Sequence, residues 1–277
     1  MKIFSETITS RNNPRIKWAS SLLSKKGRAE ARSFIAEGEK LSLEALDAGL
    51  SVSVIFVAED MLSGWLSRIE KYTKSEKYAQ TEVIPVSESV FEKISTEKSP
   101  EGVISVIKCL DFFNNADIIY KEEFFLKGAE RALVLCSVRD PGNLGAVIRS
   151  ATAFGVDHLI LSSDCAEVYN PKTVRSAMGS LFRTRITSVS SLGEFIKAAR
   201  AAGRRIYAAE LTENAKSLSE LELAADDIFI IGNEGHGIPE EISSACTASV
   251  YIPISKKTES LNAAVAAAVF MWEQSKL

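Results

Sequence analysis

The sequence predicts an α/β protein whose C-terminal part is built on a largely parallel sheet. Two observations carry that expectation. The run Ala132-Leu133-Val134-Leu135-Cys136-Ser137-Val138 is almost continuously apolar, as a strand buried on both faces reads. Behind it, strand-like runs at 159–161, 185–189, 205–209, 227–231 and 249–253 alternate with helix-like segments ending at Phe154 and at 171–178, 192–202 and 263–272. That alternation is what βαβ units leave in a sequence.

The first hundred residues alternate in the same way and predict a second, compact α/β unit. Helices are expected at 12–24, 39–48 and 61–72, the second closed by Gly49 as a C-terminal stop. Strands are expected at 33–37, 52–57, 82–86 and 103–107. Residues 111–127 place Phe112, Phe113, Phe124 and Phe125 among polar neighbours and read as a connector. The expected division is therefore 1–108, a linker at 109–127, and 128–277.

Composition excludes several classes. With 46% apolar and 25% charged residues, the 277-residue chain can bury a core of globular size. Its longest apolar stretch, 263–272, is too short to span a bilayer, and the start, Met1-Lys2-Ile3-Phe4-Ser5-Glu6, has no apolar leader region. Four dispersed cysteines without a C-x-x-C pair fit reduced thiols, and together with only two histidines they suggest no metal site. A cytoplasmic protein with no membrane partner is expected.

Net charge is −3, yet the bases are clustered. From Arg11 to Arg32 seven bases face one acid, and from Lys172 to Arg205 eight bases face one. Such clusters suit phosphate contacts, although either alone also fits a solvated helix face. The residues expected to meet RNA are Arg15, Lys17, Lys25, Arg28, Lys172 and Arg175.

Three loops leave strand ends, at 140–145, 232–237 and 255–260. Gly232-Asn233-Glu234-Gly235-His236-Gly237 has the order G-x-x-G-x-G, not the G-x-G-x-x-G of a dinucleotide site. Glu234, Glu240 and Glu241 would also repel a pyrophosphate at the following helix. A cationic or neutral ligand fits better, and S-adenosylmethionine, a sulfonium, is such a ligand. Taken alone, the loop also fits a plain glycine turn.

The residues of these loops resemble a known family. Asn143-Leu144-Gly145-Ala146-Val147-Ile148-Arg149-Ser150-Ala151 is similar to the first motif of the SpoU (TrmH-type) RNA ribose methyltransferases of the SPOUT superfamily. Ile231 to Ile238 resembles their second motif. Ile252-Pro253-Ile254 with Glu259-Ser260-Leu261-Asn262-Ala263-Ala264-Val265-Ala266 resembles the third, and residues 170–179 resemble a further segment facing substrate. Residues 13–17 and 34–38 are similar to the family's RNA-binding domain, an α/β fold like a ribosomal protein.

The resemblance implies a deep trefoil knot in the C-terminal domain and a homodimer formed through it. It implies that Gly232, Ile252 and Leu261 contact S-adenosylmethionine. It further implies that Asn143, Arg149, Glu234, Ser260 and Asn262 line the reacting centre. The family proposal makes the equivalent of Arg149 a base; a guanidinium is a poor proton acceptor, and binding the neighbouring phosphate suits it better. His236 is at most a lining residue. The expected activity is 2′-O-methylation of a ribose, in rRNA before tRNA, and the rival is a non-catalytic RNA-binding protein of the same fold.

Overall fold

A computed structural model describes residues 1–110, 130–233 and 235–277. The chain divides into two compact units, and the division is not linear. Among the described residues the first unit comprises Met1–Leu110 together with Glu167–Phe182, and the second comprises residues 130–166, 183–233 and 235–277. The connector expected at 111–127, and most of the 109–127 linker, lie outside the described residues.

In the first unit, β1 (Lys2–Ile3), α1 (Pro14–Ser21), α2 (Lys25–Ala31), β2 (Ser33–Glu37), α3 (Glu39–Asp47), β3 (Val52–Ala58), α4 (Leu62–Thr73), β4 (Glu82–Val86), α5 (Glu88–Ile94) and β5 (Val103–Lys108) follow in order. The sheet runs β1-β4-β3-β5-β2, with β5 antiparallel to both of its neighbours and the other pairs parallel. The single helix expected over 12–24 is two. Asn13 caps α1 through its side chain, Pro14 opens it, and Ser24 caps α2 by accepting from Gly27 N at 3.1 Å. Ile16, Leu22, Phe56, Phe91 and Ile104 form part of one core, each fully buried aliphatic or aromatic side chain stabilising by about 1.5–3 kcal/mol.

In the second unit, β6 (Ala132–Leu135), α6 (Pro141–Phe154) and β7 (His158–Ser162) come first. The chain then makes α7 (Pro171–Ala177) within the first unit before returning. There follow β8 (Arg185–Val189), α8 (Leu192–Ala201), β9 (Ile206–Ala209), β10 (Lys216–Ser217), β11 (Ile228–Ile231), α9 (Glu240–Ser243), β12 (Ala248–Tyr251) and α10 (Ala263–Ser275). Seven strands in the order β10-β12-β9-β11-β6-β7-β8 pair in parallel throughout. Buried Ile228, Ile230, Val134 and Ile160 lie on one face of that sheet, where Phe195 and Ile196 of α8 join them in one core.

The segment Glu167–Phe182 is held to the first unit by specific contacts. Glu167 receives Arg28 Nε at 2.8 Å and Nη2 at 2.5 Å, and Tyr169 stacks on Phe34 with centroids 4.6 Å apart. The Tyr169 hydroxyl accepts from Leu110 N at 2.7 Å, and Arg175 pairs with Glu97. No helix among the described residues is long and apolar enough to cross a membrane.

Candidate active site

The three loops lie at the ends of β6, β11 and β12, where open α/β sheets receive ligands. Asp140 caps α6, its Oδ1 accepting from Asn143 N at 2.9 Å, and Pro141 takes the first helical position. Asn262 caps α10, its Oδ1 accepting from Ala264 N at 3.0 Å and Val265 N at 3.3 Å. Its Nδ2 donates to Asn143 Oδ1 at 3.0 Å, so the first and third loops meet through two of the expected site residues.

The glycine loop is held by its own backbone and by Asn233. Asn233 N donates to Gly237 O at 3.1 Å and Gly237 N returns to Asn233 O at 2.9 Å. The Asn233 side chain accepts from Gly235 N and His236 N, and its Nδ2 donates to Ser137 O at 2.8 Å. Ser137, just past β6, takes the left-handed φ of 57° that lets the chain turn there. A Cβ placed on Gly232 would stand 2.5 Å from the Gly237 carbonyl carbon and 2.8 Å from Ile238 Cγ1. Glycine is thus required at 232 for the loop to close on itself.

Beside this loop is a cavity of about 300 Å³, lined among others by Gly232, Ile252, Ser260, Leu261, Glu210 and Phe270. That volume is at the small end of ordinary ligand sites. All three expected cofactor-contact residues lie on it, as does Ser260. Its walls are mainly aliphatic and aromatic, with loop backbone at the rim, so the residues present fit a purine and a thioether-like chain better than a polyphosphate. Asn143 and Asn262 meet each other. Arg149 is exposed on α6, six residues beyond Asn143, and Glu234 lies outside the described residues.

Electrostatics set the surroundings. Asp164, after β7, is held at a pKa of about 2 by hydrogen bonds from the Ser162 hydroxyl and from Arg139. Burial pushes Cys246 up to about 12 and raises Cys136 and Cys165 as well, which makes these three thiols poor nucleophiles. No group of three His, Cys, Asp or Glu side chains among the described residues is placed to hold a metal ion.

The basic residues divide. Lys17, Lys25 and Lys172 are exposed. Arg15 is partly exposed but pairs with Glu82 at 2.9 Å and lies over the Phe4 ring. Arg175 is exposed and paired with Glu97. Arg28 corrects the expectation of an RNA contact: it is 3% exposed and its three guanidinium nitrogens are spent on Glu167 and on Leu22 O. A side chain so enclosed cannot reach a phosphate.

Sequence reasoning missed Asn233, Ser137 and Glu210. For Asn233 a signal existed, since an asparagine between strand and glycines can bond its own backbone two residues on. Nothing local marks Ser137 or Glu210.

The SpoU rRNA Methylase family model matches residues 130–272, and the MRM3-like substrate binding domain model matches residues 13–105. The 23S rRNA (guanosine(2553)-2′-O)-methyltransferase RlmP of Bacillus subtilis is 30% identical over 265 residues, spanning 96% of this chain and 97% of its own. The AdoMet-bound rRNA methyltransferase of Sinorhizobium meliloti superposes with a TM-score of 0.81 at 28% identity, covering 99% of this chain and 98% of its own. The SpoU methyltransferase AviRb of Streptomyces viridochromogenes, in complex with the cofactor AdoMet, gives 0.80 at 26% identity, covering 96% of this chain and 98% of its own. With more than half of the sequence matched by one family model and a relative aligned nearly end to end, the chain belongs to the SpoU rRNA methylase family.

Proposed function

We propose that this protein transfers a methyl group from S-adenosylmethionine to a ribose 2′-hydroxyl of ribosomal RNA. The observation that carries the reading is the junction of the three loops: one cavity lined by Gly232, Ile252 and Leu261, beside an Asn143–Asn262 hydrogen bond that joins the outer two motifs. Two relatives with solved structures hold AdoMet. The RNA substrate rests on relatives named for 23S rRNA. Transfer RNA is the second substrate class.

When bound, the cofactor supplies an electrophilic methyl group. Gly232, Ile252 and Leu261 hold it at the loop junction. Ser260, Asn143 and Asn262 orient the ribose by hydrogen bonds, and Glu234 joins them. Arg149 binds the phosphate next to the hydroxyl and stabilises the oxygen as its proton leaves, a role that suits a planar permanent cation. Positioning supplies most of the acceleration in such an in-line displacement.

Residues 1–108, with the Glu167–Phe182 segment that belongs to the same unit, serve as the RNA-binding domain, through Lys17, Lys25 and Arg15, with Lys172 and Arg175 as further contacts, and the remainder of 128–277 forms the methyltransferase domain. A homodimer through the latter is supported by Val265 and Trp272, 50% and 51% exposed and seven residues apart on one face of α10. A deep trefoil knot is supported by the strand order: β11 inserts between β6 and β9, and the chain after β12 returns to pack α10 against α6. The protein works in the cytoplasm, where its substrate is.

The test is an alkaline ladder of rRNA treated with enzyme and cofactor. A 2′-O-methyl group blocks attack on the adjacent phosphate, so one position should become resistant. Methyl incorporation with a complete ladder would put the methyl on a base; no incorporation into rRNA or tRNA would favour the non-catalytic RNA-binding reading.

A further inference from the structure

The cavity beside Gly232 is lined by two carboxylates, Glu210 and Glu259, and by no lysine, arginine or histidine among the described residues. The remaining wall is apolar side chain and loop backbone. Glu259 is exposed, so water and salt weaken its field. Glu210 is half-buried and fixed. It follows β9 directly, and its backbone N donates to Val250 O at 3.0 Å. Its Oε1 accepts from Ser249 Oγ in β12 at 2.6 Å and from Ser243 Oγ at the end of α9. Two hydroxyls from different elements therefore hold one carboxylate at the wall of the cavity.

We propose that Glu210 makes this cavity discriminate the cationic methyl donor from its neutral product. The inference rests on the function proposed above. S-adenosylmethionine and S-adenosylhomocysteine differ by one methyl group and one positive charge. Methyl transfer leaves the bonding electron pair on sulfur, forms the bond to the ribose oxygen and releases the hydroxyl proton to solvent. The ligand left in the cavity has then lost the charge that Glu210 attracts. Because the two ligands are otherwise identical, a fixed carboxylate at the wall acts on their difference, the more strongly the nearer the sulfur lies to it. Turnover gains from this, since binding favours the donor and product departs more easily.

Isothermal titration calorimetry of the full chain with each ligand, at low salt, tests the proposal in the wild type, Glu210→Gln and Glu259→Gln. The glutamine retains an acceptor oxygen for both serines, which spares the fold. The wild type should bind donor more tightly than product. Glu210→Gln should lower the donor-to-product affinity ratio by at least about threefold, with product affinity held, as expected for removing one unit charge from a partly desolvated site. Glu259→Gln should move the ratio less. An unchanged ratio in Glu210→Gln, an equal loss for both ligands, or a larger shift in Glu259→Gln would overturn the proposal. A wild type that binds neither ligand would overturn the proposed function itself, a separate outcome.

Discussion

Asn262 Nδ2 donates to Asn143 Oδ1 across 3.0 Å, tying the N-cap of α10 to the first turn of α6. The same asparagine caps α10 through Oδ1. Asn262→Ala should therefore lose a helix cap as well as the link, about 1 kcal/mol of stability, while Asn143→Ala leaves the cap intact and should cost less. Both should reduce methyl transfer. Urea denaturation beside a turnover assay separates the two effects; full turnover in both variants would show the link to be incidental.

Gly232 and Gly235 share a loop but differ in room. A Cβ at 235 would meet only Asn233 Oδ1, at 3.4 Å, whereas one at 232 enters the Gly237 backbone. Gly232→Ala should abolish cofactor binding in calorimetry by opening the loop, and Gly235→Ala should bind within a few-fold of wild type. Comparable loss in both would mean that ligand approach, and not loop closure, sets the requirement.

Arg28 and the exposed lysines should separate cleanly. Arg28→Ala strands the Glu167 carboxylate and should cost about 3 kcal/mol of stability, as breaking an enclosed ion pair does. Lys17→Ala with Lys25→Ala should leave stability unchanged. For each phosphate that a lysine no longer neutralises, the slope of log K against log salt for RNA binding should fall by roughly 0.9 if the bound RNA is duplex-like. An unaltered slope would reassign those lysines to a solvated surface.

His158 is buried in β7, its Nε2 paired with Thr187 Oγ1 at 2.8 Å, and burial lowers its pKa to about 3. Between an ordinary value near 6.5 and that level, the unfolded chain takes up a proton that the folded chain refuses. This contribution is complete above about pH 6.5 and shrinks as pH falls, with a slope approaching about 1.4 kcal/mol per pH unit. Unfolding free energies measured from pH 7 to pH 5 should show it, and His158→Gln should flatten the curve. Parallel curves for the two proteins would refute the assignment.

Much of this was legible in the sequence because periodicity reports burial. Each expected strand of the parallel sheet is present, the first ending three residues before its apolar run does and the others within two residues; Gly232, Ile252 and Leu261, which only the family resemblance implied, line one cavity. Short elements escaped: Lys2–Ile3, the seven-residue α5 and Lys216–Ser217 are too brief to show a period, although α5 buries Val90, Phe91 and Ile94. The break between α1 and α2 was hidden by an unbroken run of helix-compatible residues; the cap at Ser24 decided it. Charge counting placed Arg28 beside Lys25 and Lys26, because a tally of bases cannot distinguish a side chain facing solvent from one facing a carboxylate far along the chain. Glu210 is likewise invisible until β9, β12 and α9 are folded together.

The excursion of Glu167–Phe182 into the first unit has a consequence for synthesis and inheritance. During translation Arg28 and Phe34 leave the ribosome long before Glu167 and Tyr169, and β6, α6 and β7 are made in between. The earlier unit must wait, with an enclosed guanidinium lacking its anion, until a stretch of the later one has been completed. For the gene, a single crossover between the two halves would separate Arg28 from Glu167. Recombination that exchanges one half intact therefore needs three breakpoints, and nascent chains that stop before residue 167 present an incomplete core to the quality-control machinery.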